Sequence, residues 1–272
     1  MNQPARMLRT AACPLLVALA ATSACSGQAT DASQEAAWLI TARDRFSLRY
    51  QAPDSGQARA LIGHIETGLT HVEARFARQY RQPFVARVYP AREPMIERWR
   101  EAWSQPNFQS ACWMVVAAGW ATELDVLSPR VWSTEACGHD GSNDTHVRLI
   151  VAHELVHVLH GQHNGAYGQL QSNAPWLPEG LAVFASGQWE AEYAVAARRA
   201  ARDFSPTSMQ ELWQSAAGYG LAGSVIAFIA QRPSSGGVSP LLEARTWQDA
   251  LRIAGLDEAT LLAEWRAWLV AS

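Results

Sequence analysis

Apolar residues follow two periods along most of this chain, and each period predicts an element. From Trp38 to Tyr50 they alternate, with Phe46, Leu48 and Tyr50 on one face, which predicts a single strand. Pro53-Asp54-Ser55-Gly56 reads as a turn. Leu61, Ile65, Leu69, Val72 and Phe76 then fall at helical spacing and predict a long amphipathic helix to about Gln79. Pro83 opens a second strand, Phe84 to Tyr89, and Met95 to Trp103 has the spacing of a short helix. Val115 to Leu127 reads as a hairpin bending near Gly119, with Thr122 to Leu127 as its returning strand. That strand is either a sheet edge open to an extended substrate or an internal one. A helix is predicted over 145–163, after the capping candidates Asn143, Asp144 and Thr145. Beyond Pro178 the pattern is helical, roughly over 178–188, 190–203, 207–215, 219–231, 246–254 and 257–270. Strands early and helices late imply an α+β chain: a small mixed sheet first, a mostly helical part after it.

The first 24 residues follow neither period. Arg6 and Arg9 precede an apolar run, Ala11 to Ala21, which leaves through Thr22-Ser23-Ala24 to Cys25. A charged start, a run of about 7–15 apolar residues and a small-residue exit form a secretory signal peptide. The run is shorter than the about 20 residues a membrane-spanning helix needs, and no later stretch is longer, so membrane contact is expected through this end alone. Ala24-Cys25-Ser26-Gly27 resembles a bacterial lipoprotein cleavage box, with Thr22 where Leu is usual. Lipidation of Cys25, facing the periplasm, and plain secretion both stay open. The expected division is a signal peptide over 1–24, a small polar tether over 25–36, a first lobe over 37–165 and a helical lobe over 166–272.

Composition narrows the function classes. Among 272 residues, 49% are hydrophobic and 17% charged, which excludes intrinsic disorder. The net charge is −3, and all 22 basic residues are arginines spread along the chain, so no nucleic-acid stripe exists and no nucleic-acid partner is expected. Twelve tryptophans invite a carbohydrate-binding reading, but Trp99/Trp103 and Trp265/Trp268 fall at helical spacing with other apolar residues, which favours the core. Of the four cysteines, Cys13 lies in the leader and Cys25 at its exit. Cys112 and Cys137 bracket the hairpin in a chain sent to an oxidising compartment, so a disulfide between them is expected.

The chemistry concentrates at His153-Glu154-Leu155-Val156-His157. Histidines four residues apart on a helix lie about 40° apart around its axis, so both imidazoles can meet one Zn²⁺. Glu154, offset by one residue, can act as general base toward water. The helix is apolar on nearly every side, through Leu149, Ile150, Ala152, Leu155, Val156, Val158 and Leu159, where these polar groups would be costly without a common partner. A catalytic zinc needs a third protein ligand. His163 is one candidate, at the metzincin spacing of ten residues after His153, although that pattern puts Gly where His160 stands and Gly161 falls one residue late. Glu179 is the favoured one, just inside a helix opened by Pro178, since a carboxylate with two imidazoles is a catalytic zinc set. His160 and His163 then become helix-end or supporting groups, with His163 as reserve ligand.

HELVH followed, with Glu179 22 residues after its second His, by Trp176-Leu177-Pro178-Glu179-Gly180-Leu181-Ala182 resembles the gluzincin branch of zinc metallopeptidases, in particular the bacterial peptidase MA-like proteins. The order of elements over about 38–270 is similar to theirs as well. The resemblance implies a zincin-like fold and zinc-dependent hydrolysis of peptide bonds. His153, His157 and Glu179 would hold one Zn²⁺, and Glu154 would activate water. Gluzincins often supply a downstream Tyr or His to the oxyanion, and Tyr219 is the candidate here. The Gly-x-Met-Glu-Asn segment of aminopeptidase relatives is lacking, so the expectation is an envelope endopeptidase, a monomer acting on a peptide or protein. The rival expectations are a metzincin-like protease using His163, a catalytically idle zinc-bearing envelope lipoprotein that binds a partner, and a zinc-free structural lipoprotein.

Overall fold

The computed structural model describes residues 37–119, 121–232 and 236–272. The leader, the tether and Cys25 lie outside the described residues. Ala36–Ser272 cohere as one compact unit. The chain is α+β, with a five-stranded mixed sheet early and helices through the rest.

The predicted single strand at 38–50 is instead a hairpin, β1 (Leu39–Ala42) and β2 (Phe46–Tyr50), paired antiparallel. Arg43-Asp44-Arg45 makes the bend, closed by Arg43 N–H donating to the Phe46 carbonyl at 2.8 Å. Alternation runs on through that bend, so periodicity alone cannot see it. Helix α1 (Ser55–Phe76) begins inside the predicted turn and ends at Ala77, a left-handed C-cap with φ 49°. Strand β3 (Phe84–Tyr89) matches its prediction, and α2 (Arg92–Ala102) begins three residues early. The expected hairpin is β4 (Val116–Gly119) and β5 (Glu123–Leu127).

Strand order is β1-β2-β3-β5-β4, with β2, β3 and β5 parallel and the outer strands antiparallel. The returning strand over 122–127 is therefore internal, and the edge belongs to β4. Helix α1 carries the chain over the sheet between parallel β2 and β3, while after α2 the chain passes to the outer β4 and returns as β5 between β4 and β3. Leu48, Ala86 and Leu124 are cross-strand neighbours on the buried face. On the opposite face, Arg87 meets Asp125 at 3.3 Å and Glu123 at 2.9 Å, while Trp99 of α2 donates to Asp125 at 3.2 Å.

A short helix α3 (Trp132–Glu135) precedes α4 (Asp144–His163), whose N-cap Asn143 accepts from the His146 N–H. After α4 come α5 (Tyr167–Asn173), α6 (Trp176–Ser186), a π-helical turn (Trp189–Tyr193), α7 (Ala194–Asp203) and α8 (Met209–Gln214). Helices α9 (Gly218–Ala230), α10 (Trp247–Ala254) and α11 (Glu258–Ala271) complete the chain. The apolar core is continuous across residue 165: Leu155 and Leu159 of α4, Leu181 of α6 and Val225 of α9 belong to one cluster. Helices α6 and α9 cross closely. A Cβ added at Gly180 would lie 2.8 Å from the Ala222 carbonyl oxygen, and one at Gly223 would lie 2.4 Å from Val183 Cγ1. Trp99, Trp132 and Trp265 are fully buried, as a core role requires, whereas Trp103, Trp113 and Trp213 line a cleft.

Candidate metal centre

Helix α4 is buried along nearly its whole length, yet it carries His153, Glu154 and His157 near its middle. One turn of helix brings the two imidazoles together, with Nε2 atoms 3.2 Å apart. Glu179, in the first turn of α6, reaches across: its Oε2 lies 3.1 Å from His153 Nε2 and 3.5 Å from His157 Nε2. The Glu154 carboxylate also lies within 4.8 Å of the ligand atoms of both histidines. His153, Glu154 and His157 are thus positioned to hold a metal ion, and Glu179 closes the same cluster.

The electrostatics fit that use. Burial pushes the Glu179 carboxyl up, but His157 and His153 beside it outweigh burial and hold it below the usual carboxylate range. For His153, burial lowers the pKa, and Glu179 and Glu154 more than reverse that. Without a cation, a proton on His153 balances the Glu179 carboxylate. A divalent ion would bring the same sign of charge to that carboxylate. The other oxygen of Glu179 accepts from Gln171 Nε2 at 2.6 Å, so Oε2 alone is turned toward the histidines.

His163 is not brought to the cluster. Helix α4 runs unbroken to residue 163, which places His163 about 15 Å along the axis from His153. Its Nε2 donates instead to the Gln79 carbonyl at 2.9 Å. The metzincin arrangement needs the helix to break before its third histidine, and here it does not. Tyr219 stands at the start of α9 and lines the cleft beside Trp213 and Trp113, with ring centroids 4.9 and 6.3 Å away. Burial, with Glu179 and Glu154 adding, raises its phenol, so it stays a hydrogen-bond donor. Tyr167 and Tyr193 line the same cleft, and burial raises both phenols, with Glu179 adding to it.

The cleft has a volume of about 1010 Å³ and opens directly onto His153, Glu154, His157 and Glu179. Its walls include Trp103, Met114, Val115 and Val116, and no arginine is among its described lining residues. The disulfide Cys112–Cys137 is formed, with Cα atoms 5.4 Å apart, and Cys137 is part of the wall. Among the described residues, no helix is long and apolar enough to cross a membrane.

Sequence reasoning missed the glutamines at the site. Gln171 sits on α5, a seven-residue helix whose Gly168, Ser172 and Asn173 leave no periodic signal. Gln188, which meets His153 Nδ1 at 2.7 Å, follows Gly187, a left-handed C-cap with φ 90° that turns the chain back toward α4. His146 left one readable trace: it precedes His153 by seven residues, two turns along the same helix face. No protein-family model matches this chain, and no curated protein matches it.

Proposed function

We propose that this chain is a zinc-dependent endopeptidase of the cell envelope, with His153, His157 and Glu179 as the zinc ligands and Glu154 as general base. One observation carries the reading. Ligand atoms bonded at about 2.0–2.1 Å to one tetrahedral zinc lie about 3.3 Å from each other. The three separations here are 3.1, 3.2 and 3.5 Å, so the donors already form one face of such a tetrahedron. Two imidazoles and a carboxylate also match zinc's preference for N and O ligands in catalytic sites, where the fourth position faces substrate.

Zinc held there would act as a Lewis acid on the scissile carbonyl and make water more acidic. Glu154 takes a proton from the attacking water as the new C–O bond forms, then delivers it to the amine as the C–N bond breaks. Tyr219 is the proposed donor to the oxygen that gains charge, since its phenol keeps its proton. An extended peptide fits the cleft because Val115 and Val116 lead into β4, the sheet edge, where backbone pairing can hold a substrate strand. The apolar walls, with no arginine to anchor a terminal carboxylate, support internal cleavage over removal of C-terminal residues. The disulfide supports an oxidising compartment, reached by the leader with or without lipid at Cys25.

An unbiased peptide library, read by mass spectrometry, tests the proposal. The parent chain should cleave internal bonds, and Glu154→Gln should lose at least about 100-fold in rate while keeping its zinc. A parent chain that holds one zinc and cleaves nothing would reduce the protein to an idle metal binder. Equal cleavage by Glu154→Gln would remove the mechanism.

A further inference from the structure

A line of hydrogen bonds leaves His153 on the side away from Glu179 and ends in the cleft wall. His153 Nδ1 meets Gln188 Oε1 at 2.7 Å, and Gln188 Nε2 donates to Glu192 Oε2 at 3.2 Å. Glu192 Oε1 meets His146 Nδ1 at 2.7 Å, and His146 Nε2 meets His139 Nδ1 at 2.9 Å. His139 Nε2 then meets the Trp113 carbonyl at 2.7 Å. Gln188 and Glu192 are one turn apart across the π-helical turn, and His139, Trp113 and Gln188 all line the cleft.

Donor and acceptor roles show which way this line runs. A carbonyl and an ionised carboxylate only accept. Glu192 meets His146 at Oε1, which leaves its Oε2 facing the Gln188 amide. Gln188 must then turn its NH₂ toward Glu192 and its carbonyl toward His153. The His153 Nδ1 thereby keeps its proton, and Nε2, beside Glu179 and His157, is the nitrogen left to bind a metal. His157 lacks such a support: its buried Nδ1 has no hydrogen-bond partner among the described residues.

We propose that Gln188 is the positioning residue of the metal centre, fixing the tautomer and ring angle of His153, and that Glu192 with the His139–His146 pair sets the direction of the Gln188 amide. The inference rests on the metal centre proposed above and adds to it the groups that orient one ligand from behind. Such supporting hydrogen bonds hold an imidazole ready for metal, and losing one weakens binding by about 10–100-fold.

Zinc affinity of the full chain, measured by competition with a chromophoric chelator, tests it without any assay of catalysis. Gln188→Leu should bind zinc about 10–100-fold more weakly, with its near-UV circular dichroism retained. Gln188→Glu alone should also bind weakly, because it sets two carboxylates against each other where 3.2 Å now separates amide from acid. The exchange Gln188→Glu with Glu192→Gln restores a donor for every acceptor along the line. It should recover affinity to within a few-fold of the parent. Parental affinity in Gln188→Leu, or an exchange no better than Gln188→Glu alone, would overturn the proposal. A parent chain that binds no zinc removes both the metal centre and this inference. A parent chain that binds zinc but cleaves no peptide removes only the peptidase reading.

Discussion

His160 shows how much a single side chain of this protein depends on its surroundings. It is fully buried one turn beyond His157, its ring edge-on to Tyr167 at 5.0 Å, and its Nδ1 has no partner among the described residues. Burial, with His157 and His163 adding, lowers its pKa from 6.5 to about 3. The folded chain therefore keeps His160 neutral down to that pH, whereas the unfolded chain protonates it near 6.5. Stability associated with His160 is full above about pH 6.5 and falls as pH drops from there toward 3, by about 1.4 kcal/mol per unit. Replacing it removes that dependence. The stability of His160→Leu minus that of the parent, from urea unfolding at about pH 6, 5 and 4, should rise at about that rate as the pH falls. A difference that stays constant with pH would show that His160 is not held neutral. At this scale the proposed ligands were legible and their supports were not. HELVH declares itself because two ligands repeat at one helical turn, and Glu179 because zinc needs a carboxylate or imidazole more. Gln171 and Gln188 carry no such chemical constraint: any residue accepting or donating one hydrogen bond would pass unnoticed until the chain brings it to the histidines.

Among the elements, the crossing of α6 on α9 is what places Glu179. Gly180, the next residue, meets the Ala222 backbone, and Ile226 Cγ1 stands 3.0 Å from where its Cβ would be. Alanine there gains roughly 1 kcal/mol in helix propensity but forces two backbones apart, an overpacking cost of about 1–3 kcal/mol. Because the atoms it meets are backbone, the cost should prevail. Gly180→Ala is expected to lower the unfolding midpoint and, by shifting the first turn of α6, to weaken zinc binding. Gly63, exposed in α1 with nothing within 4 Å of an added Cβ, provides the opposite case. Gly63→Ala should stabilise by about 0.5–1 kcal/mol and leave zinc affinity unchanged. Equal effects at the two positions, read by thermal unfolding and chelator competition, would show that the crossing is slack. Periodicity found most helices because one face of each is apolar, and it missed where packing outweighs pattern. Helix α5 holds together by burying Tyr167 and Leu170 despite Gly168 and Asn173. The bend at 43–45 interrupts no alternation, and which strand forms the sheet edge is decided by crossovers that no local pattern records.

Over the whole molecule, the metal centre and the cleft wall are held by different means. The ligands ride on α4 and α6, fixed by the core that joins both halves of the chain. The wall is a loop closed by Cys112–Cys137, which encloses β4, β5 and α3 and presents Trp113, Val116 and, just past the bridge, His139. Arg92 reinforces the closure, donating to the Cys112 carbonyl at 2.7 Å and the Met114 carbonyl at 3.0 Å. A bridge spanning a sequence separation of 25 restricts the unfolded chain by roughly 3 kcal/mol. In a chain of this size, each kcal/mol shifts the midpoint by about 2–4 °C, so Cys112→Ser with Cys137→Ser should lower it by roughly 6–12 °C. Function should divide along the same line. Zinc affinity should hold, since no ligand lies within the closed loop. On the proposed peptidase reading, the KM for a cleaved peptide should rise more than kcat falls, since the loosened part is the strand edge proposed to align substrate. A loss of zinc in the double variant would mean that the wall and the metal centre are one unit, coupled through His139, His146 and Glu192 to His153. That outcome would relocate the disulfide from the substrate's path to the metal's.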